Sequence, residues 1–321
     1  MRIINGVVDE QIYTTYINGV PQGGLSTAAS WTIKTDNVGT SNDNQFTIPT
    51  TAAGTYDCRI WWGDGTSSKI SAHGEAALTH TYPSAGTYNI EIIGTFYGIQ
   101  FNNTGDKLKL LEISRWGGDF RLGNTGVYFY GCANLTIPAT DTLDMTGTTT
   151  LINGFRSCSS LVTVPSFATL DTSSVIVFAG TFNGCTLFNQ LLNNWDTSSA
   201  TVMTEVFNGC SAYNQSISNW NTAKVTTMAY MLLNCAAFNQ SLATFSVIAL
   251  TTATAMLQGA NALSTANYDA TLISWAAQTL ITAVAFHGGD ATYSVGAATT
   301  AHDVLTDPPN SWTVTDGGQT P

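Results

Sequence analysis

Charge is scarce in this chain: only 10 % of its 321 residues are Asp, Glu, Lys or Arg, where roughly a quarter is usual for a soluble domain. Basic residues are scarcer still, ten Lys and Arg against 21 Asp and Glu, for a formal net charge of −11. Beyond Arg121 only Arg156 and Lys224 are basic, against ten carboxylates. Nucleic acid and anionic membrane surfaces are held by clustered Lys or Arg, so neither partner is expected. No run of 18 or more apolar residues is present, which argues against a membrane-spanning helix. The first twenty residues carry neither the basic stretch nor the apolar core of a secretory leader, and the expectation is a route that needs none. Close cysteine pairs are also missing, so a zinc site of the C-x-x-C kind is excluded. No G-x-S-x-G, H-E-x-x-H, P-loop or dinucleotide fingerprint occurs, and Asp171, Asp196, Asp303 and Asp307 are scattered in turn-like sequence. No catalytic residue, cofactor or metal is therefore expected, and the chain does not read as an enzyme.

Five of its six cysteines stand in register. Cys132, Cys158, Cys185, Cys210 and Cys235 are separated by 26, 27, 25 and 25 residues, with a large apolar residue three before (Phe129, Phe155, Phe182, Phe207, Leu232) and three after (Leu135, Leu161, Phe188, Tyr213, Phe238). Ala260 takes the cysteine position in a sixth copy. Periods of this length mark units too small to bury their own apolar face, which stack to do so. Equivalent positions of stacked strand-like coils lie about 4.8 Å apart, so small thiols are expected to pack in one buried, unbonded column.

Ahead of the repeats, residues 43–99 show short apolar runs bounded by Gly, Asp, Ser or Pro, the pattern of a β-sandwich. Trp62-Gly63-Asp64-Gly65-Thr66, then His80-Thr81-Tyr82-Pro83 and Gly86-Thr87-Tyr88, resemble the PKD-type immunoglobulin-like domain. Asp64 reads as a turn former rather than a calcium ligand, and His80 as a packed residue. The repeats themselves (FNGCTLFNQLLNNWDTSSATVM, FNGCSAYNQSISNWNTAKVTTM) are similar to those of the BspA-type leucine-rich-repeat surface proteins.

The fold expected is mainly β: an N-terminal PKD/Ig-like β-sandwich, a leucine-rich-repeat-like solenoid and a short helical C-terminal cap. The divisions fall at 1–40 (docking strands), 41–105 (sandwich), 106–265 (repeats) and 266–321 (cap, with a helix over Tyr268 to Leu280). Asn189, Gln190, Asn214, Gln215, Asn239 and Gln240, with Trp195, Trp220 and Phe245, admit two readings. One is a ligand face of amides and stacking rings; the other, favoured, is amides bonding backbone at coil corners around aromatics that fill the core.

The resemblance implies surface display or adhesion. The expectation is a non-enzymatic virion protein of a bacteriophage, a capsid decoration, tail or fibre component made in the host cytoplasm. Its partners would be other virion proteins, further copies of itself, or a host surface glycan or protein. A bacterial cell-surface adhesin is the alternative, and a polysaccharide-active enzyme a third reading.

Overall fold

The structure, a computed structural model, describes residues 27–320 and the backbone of one short hairpin, β1 (Thr15–Ile17) and β2 (Val20–Gln22). The rest of the expected docking arm up to residue 26 lies outside the described residues. The chain is mainly β. Ahead of the repeats lie β3 (Ala29–Lys34), β4 (Gln45–Thr47), β5 (Thr50–Trp61), β6 (Ser67–Ile70), β7 (Thr79–Thr81), β8 (Thr87–Ile99), β9 (Leu110–Arg115) and β10 (Phe120–Arg121). Their largest sheet runs β6-β5-β8-β3-β9, antiparallel throughout, with β10 added parallel to the end of β8; β4 and β7 form a separate antiparallel pair. Period-two alternation puts Trp31, Ile33, Ile60, Ile90, Ile92 and Ile113 on the buried face.

This sheet takes strands from both sides of the divisions expected at residues 40 and 105. β3 sits between β8 and β9, Trp31 opposite Ile90 on one side and Ile113 on the other. A buried ion pair crosses the second division. Asp106 accepts from the amides of Thr40, Ser41 and Thr47, and the Lys109 ammonium donates to the carbonyls of Ser41, Asn42 and Gln45 at 2.8–3.1 Å. Both side chains are fully buried, 3.9 Å apart. Such a pair is tolerated only because these bonds replace the lost water.

From about residue 124 to 263 the chain is built from turns rather than strands. Successive units touch through single parallel bridges, Thr150 to Val177, Val202, Thr227 and Thr252 in turn. The row then continues through β11 (Thr252–Ala253), β12 (Ala285–His287) and β13 (Thr313–Thr315). Strand-like coils were expected; the backbone shows why they do not form. Four successive units each donate four alternate amides to the next, as from Met203, Glu205, Phe207 and Gly209 to the carbonyls of Thr227, Ala229, Met231 and Leu233. Two of these four donors have positive φ, Glu205 at 58° and Gly209 at 73°, and the neighbouring units repeat this at Gly180/Gly184 and Tyr230/Asn234. Left-handed residues in alternation interrupt the pleat while keeping the amides aimed along the stack.

The two parts share one core. Phe96 of β8 stacks on Phe120, Phe120 on Trp116, and the aromatic column continues through Phe129, Phe155, Phe182 and Phe207 at 5.6–6.0 Å per step. Asp141 fixes the junction by accepting from the amides of Trp116 and Gly117. At the far end α1 (Thr265–Ala276) begins at Ser264, whose hydroxyl caps the Asn267 amide, and α2 (Ala297–Thr306) packs beside it. The helix expected over Tyr268 to Leu280 thus starts and ends earlier. Replacing Phe207 by Ala leaves a cavity in the middle of the column and is expected to lower unfolding stability by about 3–5 kcal/mol in urea denaturation; a loss below about 1 kcal/mol would contradict this core.

Candidate functional site

The repeated residues are used internally. All six cysteines are buried and unbonded to one another. Four thiols reach back one unit: Cys158, Cys185, Cys210 and Cys235 donate to the carbonyls of Phe129, Phe155, Phe182 and Phe207 at 2.9–3.2 Å. Burial pushes the Cys185 and Cys235 thiols up to about 12, and those of Cys132, Cys158 and Cys210 well above their ordinary value. A thiolate nucleophile is thereby suppressed.

The amides form a second ladder. Asn189 Oδ1 accepts from the Asn214 amide at 3.0 Å and Gln215 Nε2 at 3.1 Å; Asn214 Oδ1 accepts from the Asn239 amide at 2.8 Å and Gln240 Nε2 at 2.9 Å. Asn239 Oδ1 closes the series on the Ser264 amide and Asn267, while Gln190 Oε1 accepts from the Val164 amide. Trp195 and Trp220 are 2 % exposed, their rings stacked 6.4 Å apart and their indole N–H groups donating to the carbonyls of Phe167 and Leu192. Phe245 is buried as well. The rings cannot serve as stacking platforms for a ligand. Trp275 of α1 repeats the same bond, to Leu242, so the helix supplies the last rung.

The Trp62-to-Tyr88 motif also packs on itself. Asp64 accepts from the amide and hydroxyl of Thr66 and pairs with His80 at 2.7 Å, and His80 lies flat on Trp62 with centroids 4.8 Å apart. Burial pushes the Asp64 carboxyl up, but the bonds from Thr66 and His80 outweigh it and hold the group below the ordinary carboxylate range.

What remains open is the other face of the sheet. Alternation that buries Trp31, Ile90 and Ile113 turns Ser30 and Thr32 of β3, Asn89 and Glu91 of β8, and Glu112 of β9 outward. They line a groove of about 540 Å³. One row across it reads Trp61, Glu91, Ser30, Arg115; the next reads Asn89, Thr32, Glu112. The turn after β5 closes one end, and only glycine fits there: Gly63 has φ +84°, and a Cβ on it would lie 2.3 Å from the Asn89 carbonyl oxygen. Thr32 donates to Asn89 Oδ1 at 3.0 Å. Glu91 Oε2 is buried with no hydrogen-bond partner in the structure. Burial raises the Glu91 carboxyl above its ordinary value, and the Arg115 guanidinium offsets part of that rise. The sequence did not single out this groove, because its rows pair residues 30 to 85 positions apart.

Among the described residues no cluster of three or more His, Cys, Asp or Glu is placed to hold a metal, and no helix is long and apolar enough to cross a membrane. In comparison with known proteins, residues 149–270 are similar to the family described as Mycoplasma protein of unknown function, DUF285. That span covers the regular repeats and the start of α1, and does not reach the sheet. No curated protein and no solved structure matches the chain.

The thiol ladder predicts a pH dependence. Thiols of the unfolded chain ionise above about pH 8.5, whereas Cys185 and Cys235 of the folded chain stay protonated to about 12. Between these values the folded state binds more protons, so this part of the stability is whole below about pH 8.5 and declines as pH rises. The urea midpoint is expected to fall between about pH 8.5 and pH 10.5, with no thiol reactive in the native protein and all six reactive once unfolded. A flat midpoint, or native disulfides, would contradict the ladder.

Proposed function

We propose that the protein is a non-enzymatic display protein: a leucine-rich-repeat-like solenoid acts as a rigid extension of a PKD/Ig-like sandwich, which presents the binding surface. The observation that carries this reading is the inward use of the repeats. Their thiols, amides and aromatic rings bond to backbone or fill the core from one unit to the next, leaving a stiff, sparsely charged body. Catalysis needs acid, base or nucleophile converging on one reactant, and the recurrent side chains do the opposite.

The setting we favour is the outside of a bacteriophage particle, where the chain contacts other virion proteins or the host surface. Six buried, unpaired cysteines support it, because neighbouring thiols in such a stack mispair easily in an oxidising export route and stay reduced in a cytoplasm. A bacterial cell-surface adhesin is the second reading, favoured by the similarity of residues 149–270 to a family of Mycoplasma proteins. With few basic residues, recognition would run through hydroxyls and amides, weak per site and strengthened by many copies.

Immunogold labelling with serum against the chain tests both settings. Gold on intact particles supports the virion reading, and gold on intact cells the adhesin. Label appearing only after lysis, on neither surface, would overturn display altogether. Adhesion of bead-coupled protein to host cells is expected to change little between about 50 and 200 mM salt, the range over which phosphate contacts weaken steeply; a steep loss would refute the uncharged recognition surface.

A further inference from the structure

The groove on the open face of the sheet combines polar side chains with a buried acceptor that has no donor. Its volume of about 540 Å³ lies within the usual range for small-ligand sites, roughly 300–1,000 Å³. It rests on strands rather than loops, so its side chains are held in register. Its walls are hydroxyls (Ser30, Thr32), an amide (Asn89), two carboxylates (Glu91, Glu112) and one indole (Trp61). The buried, unbonded Glu91 Oε2 lacks a donor, and a buried acceptor left without one costs about 1–3 kcal/mol. Turning that carboxyl toward the groove lets a ligand O–H supply the missing bond.

From these features we infer that the groove is a binding site for a neutral saccharide, whose hydroxyls are taken by Glu91, Asn89 and Glu112 while Trp61 walls one end. The inference deepens the display reading above and rests on it.

Two arguments select this chemistry. Two carboxylates beside the one Arg115 guanidinium leave the groove with an excess of negative charge, so it does not select a polyanion. Carboxylate and amide groups are planar, with paired lone pairs or donors that match neighbouring hydroxyls on a ring.

The test is a glycan array spanning neutral, sialylated, sulfated and amino-bearing glycans, probed with the full chain and with the variants Glu91→Gln and Asn89→Ala. Neutral glycans are expected to bind, and each variant to bind them about tenfold more weakly, the loss of one hydrogen bond, with an unchanged urea midpoint. Signal confined to charged glycans, signal unaffected in both variants, or no signal overturns the site. So does cleavage of a bound glycan, read as new reducing ends. Surface labelling of particles or cells together with a silent array would sink the groove and leave display intact; absence from any surface would sink display itself.

Discussion

No unit of the repeat stack can satisfy its own backbone. The four middle units each hand four alternate amides to the carbonyls of the next, and this one requirement fixes most of what surrounds it. Amides aimed in a single direction need right- and left-handed residues in alternation, hence the Gly, Asn or Ser just before each cysteine position: Gly131, Ser157, Gly184, Gly209, Asn234 and Gly259 all have positive φ. Cys158, Cys185, Cys210 and Cys235 each reach back to the carbonyl of the Phe one unit earlier. A terminal unit would be left with unanswered groups, and α1 and the turn after it meet them: Trp275 donates to the Leu242 carbonyl, Thr271 accepts from the Leu242 amide, and Gln278 accepts from the Val247 amide and donates to the Phe245 carbonyl.

The same continuity runs into the sheet. Trp116 bridges Phe120 and Phe129, and its indole donates to Ser166, so the first turns of the stack are built on the sheet's own core. The buried Asp106–Lys109 clamp ties residues 40–47 to the segment that enters the stack. The aromatic column runs unbroken from Phe96 of the sheet to Phe207 of the repeats. The groove lies on the face of the sheet turned away from that column, where the strands are fixed from behind by Trp31, Ile90 and Ile113.

What the sequence disclosed followed from periodicity. Cysteine and Phe positions recurring about every 25 residues leave few alternatives to a common buried column, and the Asn side chains of the Asn-Gln pairs accept from the backbone of the next unit. The strand β8 was legible from its alternation. Non-local pairing was not. Ser30 reads as part of a leading arm until β8 and β9 are seen on either side of it, and Lys107-Leu108-Lys109 reads as a charged connector although Lys109 is buried in a cage of carbonyls. The turn-built backbone of the repeats was hidden as well, since non-glycine residues such as Glu205 and Tyr230 occupy left-handed positions that their identity does not announce. The groove combined both difficulties: ordinary polar residues on outward strand positions, brought together only by sheet order.

Hydrogen exchange read by mass spectrometry tests the central claim, that backbone bonds between units hold the repeats as one body. Amides of residues 151–157, 178–184, 203–209 and 228–234 are predicted to exchange slowly and together, with protection highest in the middle units and falling toward the two ends. Slow exchange confined to the antiparallel sheet, with these segments exchanging within seconds, would contradict it.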